Sequence, residues 1–270
     1  MEIDILGPLA ISGSGVIDHA NLAPKPRAIL GVLAGHPGRL VPVTVLMREI
    51  WGETPPASAL RNIHTYLLQV RKQLAQAWGL PRRVVADKLL VTHPGGYAIS
   101  DTLVCYDHQS FTELSARGRR AIANGELLEG INFLARALAV WRGPAFVDVV
   151  TGPVLETQRR QFHDTRLGVV EAMSEARICV GQYHEAICDL TVPVAENPLH
   201  EGLHFQYMRA LGMSGSRARA LEVFNRLRLT LVSELGIEPG AAVQDLQRRI
   251  LASADLGVTA GHPPIRAAKY

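Results

Sequence analysis

Cysteine is scarce in this chain, and its positions exclude a class of folds. Only three occur in 270 residues, far apart at Cys105, Cys179 and Cys188. An odd and scattered set does not make a disulfide framework or a zinc knuckle. It predicts buried thiols in a reducing cytoplasm.

Long apolar runs are also missing, since none approaches the roughly 20 residues that a membrane-spanning helix needs. The start, MEIDILGPLAISGSG, has acids where a signal peptide has its basic region, so we expect no export signal. With 47% hydrophobic and 20% charged residues, the composition is that of a globular protein with one large or two ordinary domains. We expect a cytoplasmic protein without a membrane partner.

Net charge is small, at +3, and the excess lies in one part of the chain. Residues 1–101 hold 10 Lys/Arg and 7 Asp/Glu, whereas the rest of the chain holds 18 of each. Between Ala57 and His93 a single acid, Asp87, stands against six basic residues: Arg61, Arg71, Lys72, Arg82, Arg83 and Lys88. A local basic surface on a nearly neutral chain is typical of a polyanion site, and chance clustering of surface charges is the alternative.

The first hundred residues predict strands, then three helices, then a hairpin. Alternation predicts strands near Glu2–Leu6 and Leu9–Ile11, with a turn over Ser12–Gly15. Helices are predicted over Arg27–Gly35 and Val43–Trp51, with Thr44 as a candidate N-cap of the second. A third helix is predicted to follow Ser58, its candidate N-cap, and to be closed by Trp78-Gly79-Leu80-Pro81. Short strands are predicted over Arg83–Val85, Leu89–Thr92 and Tyr97–Ile99. This order is that of a winged helix with an N-terminal sheet, an α+β fold whose third helix enters the major groove.

The third predicted helix has one apolar and one basic face. Its apolar residues recur at spacings of 3, 4, 3 and 4: Leu60, Ile63, Leu67, Val70 and Leu74. The opposite face lacks a carboxylate and carries Arg61, Asn62, Thr65, Gln69, Arg71 and Lys72. A solvated surface helix normally mixes both charge signs. This face is therefore the predicted recognition surface.

Within that face, residue chemistry suggests separate roles. Asn62, Thr65 and Gln69, spaced 3 and 4, are expected at base edges, where Asn and Gln pair with adenine and the Thr methyl meets thymine. Plain solvent exposure is the alternative. The three cations are expected to divide between a base edge and phosphates. His64 is either a contact or a partly buried helix residue.

The predicted wing follows the third helix. Its turn and flanks comprise His93, Pro94, Gly95, Gly96 and Tyr97, although an ordinary tight hairpin would use the same glycines. Further phosphate contacts are expected from residues near the wing and at the start of the first helix: Lys25, Arg27, Arg82, Arg83 and Lys88.

From Asp107 to about Ala254 the pattern is helix after helix. Gly181 and Gly215 are 34 residues apart, as are Ala186 and Ala220, which is the period of a tetratricopeptide helix pair. The pair Gly125 and Gly130 repeats the same five-residue offset. Three stacked helical hairpins are the economical prediction. The predicted domains are therefore 1–101, 102–254 and a flexible tail, 255–270.

These segments together resemble a known family. MEIDILGPLAI, PKPRAILGVLAGHPGRLV, LMREIWGETPPASALRNIHTYLLQVRKQL and LVTHPGGYAI in the first part, and ALAVWRGPAF, AENPLHEGLHFQYMRALGMSG and LVSELGIEPGAAVQDLQRRIL in the second, carry the resemblance. They resemble the Streptomyces antibiotic regulatory proteins in their short form. Such proteins have an OmpR-like winged helix and an all-α bacterial transcriptional activation domain.

The resemblance implies a transcriptional activator, associated with the nucleoid, that controls a secondary-metabolite gene cluster. It implies binding to direct repeats in promoter DNA as side-by-side protomers, and recruitment of RNA polymerase with its principal sigma factor. The loop Glu53, Thr54, Pro55 and Pro56 is expected to face the polymerase, with a mere connector as the alternative.

One motif points elsewhere. His200-Glu201-Gly202-Leu203-His204 matches the zinc pattern H-E-x-x-H. Asn197-Pro198 places it at a helix start, Gly202 weakens that helix, and a short pattern recurs by chance, so we expect neither a metal nor a cofactor. A zinc hydrolase and a helical-repeat adaptor remain the alternative hypotheses. The basic helix and the Pro-Gly-Gly hairpin favour a DNA-binding activator without catalysis.

Overall fold

In the computed structural model of the chain, residues 1–13, 16–18 and 21–252 are described, with side chains for 1–13 and 21–252. Both the predicted tail, 255–270, and residues 14 and 15 of the predicted turn lie outside them. The chain divides into two compact units, Met1–Thr112 with Ala139–Asp164 and Glu113–Leu138 with Thr165–Tyr270. Each unit is assembled from two segments of the chain. The domain boundary expected after residue 101 stays a prediction.

The first unit has the predicted order of strands, three helices and hairpin. Its elements are β1 (Glu2–Asp4), β2 (Ala10–Gly13), β3 (Val16–Asp18), α1 (Pro24–Ala34), β4 (Val41–Pro42), α2 (Val43–Trp51), α3 (Ala59–Ala77), α4 (Arg82–Val84), β5 (Leu90–His93), β6 (Gly96–Ile99) and β7 (Cys105–Tyr106). A π-helical turn, Val85–Leu89, joins α4 to β5.

Two small sheets frame the three helices of this unit. In the first, the order is β3-β2-β1-β7, with Ile3 opposite Ile11 in the antiparallel pair and opposite Tyr106 in the parallel one. All three side chains are buried. The second sheet has the order β4-β6-β5, and β5 and β6 form an antiparallel hairpin in which Thr92 pairs with Tyr97.

Two helix starts differ from the sequence prediction. Helix α1 begins at Pro24 rather than Arg27, because proline is tolerated in the first helical turn, whose N–H groups have no intrahelical acceptor. Helix α2 begins at Val43 after an extended Pro42, so Thr44 lies inside the helix and is not its N-cap. Ser58 occupies the N-cap position of α3, but its side chain makes no capping hydrogen bond to the helix backbone.

The strand predicted over Arg83–Val85 is wrong. These residues are helical, because Pro81 presents its carbonyl to the amides of Val84 at 2.9 Å and Val85 at 3.3 Å. Val85 is fully buried. Tertiary burial therefore outweighs the strand preference of β-branched residues.

The buried stripe of α3 also differs at one end. Ile63, Leu67, Val70 and Leu74 are at most 1% exposed, as predicted, but Leu60 is 48% exposed. Ala59 takes its place at 3% exposed. Ala59 lies four residues before Ile63, which is as good a match to the helical period as the three residues that separate Leu60 from it.

Within the first unit, a buried carboxylate attaches residues 139–164 to the segment before residue 113. Glu49 of α2 is 4% exposed and accepts backbone hydrogen bonds from Gly152 at 2.6 Å, Val154 at 2.9 Å and Leu155 at 3.1 Å. These amides lie at the start of helix α7 (Pro153–Cys179), where N–H groups have no acceptor of their own. Burial raises the pKa of Glu49, and the three amide donors oppose that rise.

A second carboxylate reinforces this attachment. Asp148 accepts a hydrogen bond from the backbone N–H of Leu9 at 2.7 Å and pairs with Arg27 at 2.5 Å. The backbone adds bonds from Arg142 to the Leu6 carbonyl at 2.9 Å and from Phe146 to the Ile5 carbonyl at 3.0 Å. The loop before α7 is therefore part of the first unit's core.

The second unit is helical throughout its described residues. Helix α5 (Asp107–Ala123) enters it from the first unit, and α7 continues into it; the other helices are α6 (Leu127–Ala139), α8 (Tyr183–Glu196), α9 (Glu201–Met213), α10 (Arg217–Leu235) and α11 (Ala241–Leu251). Among the described residues, no helix has both the length and the apolar character needed to cross a membrane.

The predicted hairpin turns of the second unit are confirmed. Gly125, Gly181 and Gly215 have φ values of 86°, 81° and 83°, a left-handed conformation that favours glycine. Five residues after the second and third of these turns, Ala186 and Ala220 are fully buried. A small residue at that position lets the paired helices approach closely. Helix α11 is an addition to the three predicted pairs.

The prediction of buried thiols is wrong. Cys105, Cys179 and Cys188 are free and all three are exposed. The number and spacing of the cysteines indicate whether disulfides can form. They do not indicate which face of a helix or strand each cysteine occupies.

Candidate nucleic-acid interface

The exposed face of α3 contains no carboxylate. Ile63, Leu67 and Val70 anchor the helix in the core, and the residues between them are turned to solvent. The exposed positions are Leu60, Arg61, His64, Thr65, Leu68, Gln69, Lys72 and Gln76. The structure thus places four predicted recognition residues, Arg61, Thr65, Gln69 and Lys72, on one accessible face.

Two polar side chains of this helix are engaged locally. Asn62 is only half-exposed, and its Nδ2 donates to Ser58 Oγ at 3.3 Å. Thr65 Oγ1 donates to the Arg61 carbonyl at 3.1 Å. Of the three predicted base readers, Gln69 alone has an exposed polar end without such a bond within the described structure.

Arg71 has a structural partner that the sequence did not indicate. Its Nε and Nη2 donate to the Leu90 carbonyl at 3.0 and 2.6 Å, and Nη2 also donates to Thr92 Oγ1 at 2.8 Å. The guanidinium lies 6.0 Å from the centroid of the Tyr97 ring, and burial lowers the pKa of Arg71. Arg71 therefore fastens the β5–β6 hairpin to α3.

The predicted wing divides into an exposed tip and a buried base. His93, Pro94 and Gly95 are exposed, and Gly95 turns the chain with φ of 83°. Gly96 is buried, and a Cβ there would collide with the Val41 carbonyl. Tyr97 is 5% exposed. The last two residues therefore shape the hairpin, whereas the tip is accessible.

The flanking cations differ in availability. Arg82, Arg83 and Lys88 are exposed, although Arg83 lies 3.4 Å from Asp87 in an ion pair that is itself exposed. Lys25 is exposed with its Nζ 5.3 Å from the Trp51 ring centroid. Arg27 is engaged by Asp148, and its side chain is only 18% exposed.

The sequence analysis did not predict one residue of the exposed α3 face, Leu68, and gave two alternatives for another, His64. Leu68, 64% exposed, lies between Thr65 and Lys72 on the helix surface. The helical spacing rule that predicted the buried stripe could also have predicted this position. Leu68 lies three residues after Thr65 and four residues before Lys72, so all three share one face of the helix. His64 is exposed, so the partly buried alternative is wrong, and a contact from His64 stays a prediction.

The loop Glu53–Pro56 is exposed along its length. Glu53 pairs with Arg48 at 3.2 Å, with both side chains largely in solvent. Such a pair stabilises little.

The H-E-x-x-H segment serves the helix start. His200 is the N-cap of α9, and its Nδ1 accepts a hydrogen bond from Leu203 N at 3.4 Å. His204 is 3% exposed with its Nδ1 3.0 Å from the His200 carbonyl, and burial lowers its pKa. Within residues 1–13, 16–18 and 21–252, no three His, Cys, Asp or Glu side chains gather to hold a metal.

A winged helix with an accessible, carboxylate-free third helix, joined to helical repeats, defines a class of transcription regulators. The family model described as "Bacterial transcriptional activator domain" matches residues 106–251. The model described as "Transcriptional regulatory protein, C terminal" matches residues 18–98. The chain belongs to the Streptomyces antibiotic regulatory protein family of transcriptional activators.

Relatives agree with this assignment. The chain is 40% identical to Regulatory protein DnrI of Streptomyces peucetius over 99% of its own length and 98% of that protein. It is 33% identical to Regulatory protein AfsR of Streptomyces griseus, covering 97% of this chain and 26% of that one. Among solved structures, Mycobacterium tuberculosis EmbR in complex with a low-affinity phosphopeptide matches with a TM-score of 0.82 at 31% identity, over 94% of this chain and 65% of that chain. The predicted OmpR-like winged helix and tetratricopeptide-like second part are thereby confirmed.

Proposed function

We propose that this activator binds double-stranded promoter DNA with α3 in the major groove and the β5–β6 hairpin against the backbone. The observation that carries the proposal is the exposed face of α3, which offers cations, amides and a hydroxyl without a carboxylate. The phosphates of DNA repel carboxylates and attract cations, while amides and hydroxyls form hydrogen bonds to phosphates and base edges.

Each exposed group has a distinct role in the proposal. Gln69 reads a base edge, since a carboxamide makes two hydrogen bonds to adenine. Arg61 and Lys72, at the two ends of the face, contact phosphate or guanine. The cations beyond the helix, Arg82, Arg83 and Lys88, neutralise phosphates.

The promoter arrangement rests on the family. We infer that protomers bind direct repeats side by side, in the cytoplasm on the nucleoid, and recruit RNA polymerase and its principal sigma factor through the exposed loop Glu53–Pro56. Membership of the Streptomyces antibiotic regulatory protein family supports control of an antibiotic gene cluster.

A gel-shift series tests DNA binding. Full-length protein is titrated onto DNA from its own cluster's promoter between 50 and 200 mM salt, alongside Gln69→Ala, Lys72→Ala and Arg120→Ala. Arg120 is an exposed cation of α5 and is the matched control for Lys72. We expect Lys72→Ala to weaken all sequences and reduce the salt slope by roughly one, and Gln69→Ala to relax preference at one base pair.

Two outcomes would count against the interface. No shift at low salt would favour the helical-repeat adaptor, whose partner binding would be insensitive to these changes. A shift that Arg120→Ala weakens as much as Lys72→Ala would move the DNA site away from α3.

A further inference from the structure

The second unit contains a cavity that DNA binding leaves unused. It has a volume of about 340 Å³ and lies among the residues of α7, α9 and the amino end of α11. That volume falls at the lower end of the roughly 300–1,000 Å³ found for small-molecule sites. Phe205 and Val243 supply apolar wall, while Gln206, Arg209 and Glu175 supply polar groups.

Arg209 is the unusual member of this lining. It is 5% exposed, its Nε has no hydrogen-bond partner, and no described residue forms an ion pair with it. A buried guanidinium without an anion is costly, and replacing such a group with an apolar side chain often stabilises a protein. The Oε1 of Gln206, at 9% exposed, is also without a donor.

The three carboxylates around the cavity are not equivalent. Glu201 accepts a hydrogen bond from Gly240 N at 2.6 Å, and Glu171 lies 3.5 Å from His200 Nδ1. Glu175 lacks a hydrogen bond or ion pair to any residue in the described ranges. The cavity thus presents one unpaired cation, Arg209, and one unpaired anion, Glu175, that do not pair with each other.

We propose that this cavity binds a small zwitterion with an apolar body, of the kind represented by an α-amino acid. The ligand's carboxylate pairs with Arg209, its ammonium pairs with Glu175 and donates to Gln206 Oε1, and its side chain lies against Phe205. A charge-assisted pair to a buried guanidinium is among the stronger polar contacts. A simple anion would meet three carboxylates, and a simple amine would leave Arg209 unpaired.

Three related probes separate the contributions. Full-length protein is titrated calorimetrically with L-phenylalanine, with 3-phenylpropionate, which lacks the ammonium, and with phenethylamine, which lacks the carboxylate. We expect saturable binding of phenylalanine that is at least tenfold tighter than that of either partial compound. Equal binding of 3-phenylpropionate would instead show a simple anion site, and equal binding of phenethylamine a cation site.

Two variants connect the binding to the named residues. Arg209→Met is expected to reduce phenylalanine affinity to that of phenethylamine, while its unfolding temperature stays at or above that of the wild type. Glu175→Gln, at a half-exposed position, is expected to reduce the affinity for phenylalanine to the affinity that the wild type has for 3-phenylpropionate. Glu129→Gln, an exposed carboxylate of α6, is the matched control and should bind as the wild type does.

The proposal is overturned if phenylalanine does not bind, or if binding survives both variants. Because Glu175→Gln does not disturb a buried group, it keeps the test decisive even if Arg209→Met fails to fold. The titrations contain no DNA, so their outcome is independent of the proposed promoter binding.

Discussion

Arg71 of α3 donates two hydrogen bonds to the carbonyl of Leu90, which lies 19 residues later in β5. This contact holds the hairpin against α3. It changes what a substitution at Arg71 is expected to show, because the guanidinium positions the hairpin and is only partly exposed.

Arg71→Ala should therefore act through structure. We expect a loss of about 1–3 kcal/mol in the free energy of unfolding, since charged hydrogen bonds to partly buried acceptors are removed. Amide exchange at Thr92 and Tyr97, which pair across the hairpin, should become faster. Lys72→Ala, the exposed neighbour, should change stability by less than about 0.5 kcal/mol. Unchanged exchange with a reduced salt slope would mean that Arg71 contacts phosphate directly.

Leu68 offers a sharp test of the α3 face. Leu68→Glu places a carboxylate where we propose DNA binds, so we expect at least a tenfold loss of promoter affinity with little change in stability. Leu229→Glu is the matched control, because Leu229 of α10 is 69% exposed and Leu68 is 64% exposed. Fluorescence anisotropy with labelled promoter DNA measures both. Equal affinities for the two variants would remove Leu68 from the interface.

Glu49 and Glu53 make a contrasting pair four residues apart. Glu49→Ala leaves the amides of Gly152, Val154 and Leu155 without their acceptor, and should lower stability by about 2–4 kcal/mol. Glu53→Ala breaks an exposed ion pair and should stay within about 0.5 kcal/mol of the wild type. Urea unfolding of both variants gives the comparison, and similar midpoints would contradict the capping role of Glu49.

Asp4 should make the protein less stable as pH rises through the weakly acidic range. Burial, and then the nearby Asp107 carboxylate, raise the pKa of Asp4 from 3.8 to about 6. The folded chain therefore binds this proton more tightly than the unfolded chain, so the free energy of unfolding falls between pH 4 and 6. After allowance for its partial exposure, we expect about 1–2 kcal/mol.

Asp4→Asn removes that dependence. The difference in unfolding free energy should move in favour of the variant as pH rises from 4 to 7. Asp164→Asn, at an exposed position, serves as the control. A difference that stays constant with pH would show that Asp4 titrates normally in the folded protein.

His108 should contribute with the opposite sign. Burial, and then the charge of His36, lower the pKa of His108 from 6.5 to about 4. The unfolded chain then binds the proton more tightly, so stability is fully present above pH 6.5 and falls as pH drops towards 4, by up to about 3 kcal/mol. In unfolding measurements, His108→Gln should flatten this loss, while His184→Gln, at an exposed site, should not. Parallel curves for both variants would contradict a neutral buried His108.

The sequence pattern alone predicted those elements whose residues recur at a regular spacing. The spacing of Ile63, Leu67, Val70 and Leu74 predicted the buried side of α3, and the recurrence of Gly181 and Gly215 predicted where the helical hairpins turn. Both follow from geometry within a few residues of the chain. The fold class was predictable for the same reason.

Long-range contacts were not predictable in this way. From the neighbouring sequence, Arg71 is predicted to be a surface cation. Its partner is the backbone carbonyl of Leu90, 19 residues away, and a backbone carbonyl leaves no trace in the sequence. Glu49 likewise reads as an exposed helix residue, although its partners lie 103 to 106 positions later. The helical Val85 was missed because its burial depends on the assembled unit. The exposure of the α3 face was predictable, whereas its division into free and engaged side chains was not.

The Glu49 and Asp148 contacts bear on how this architecture is inherited. A gene fusion that joined the winged helix of one relative to the helical part of another at residue 101 would separate Glu49 from the amides at Gly152, Val154 and Leu155, and Leu9 from Asp148. The incoming loop would have to supply matching groups at each point. A fusion whose incoming loop lacks these groups is therefore expected to lose the contacts that attach residues 139–164 to the winged helix.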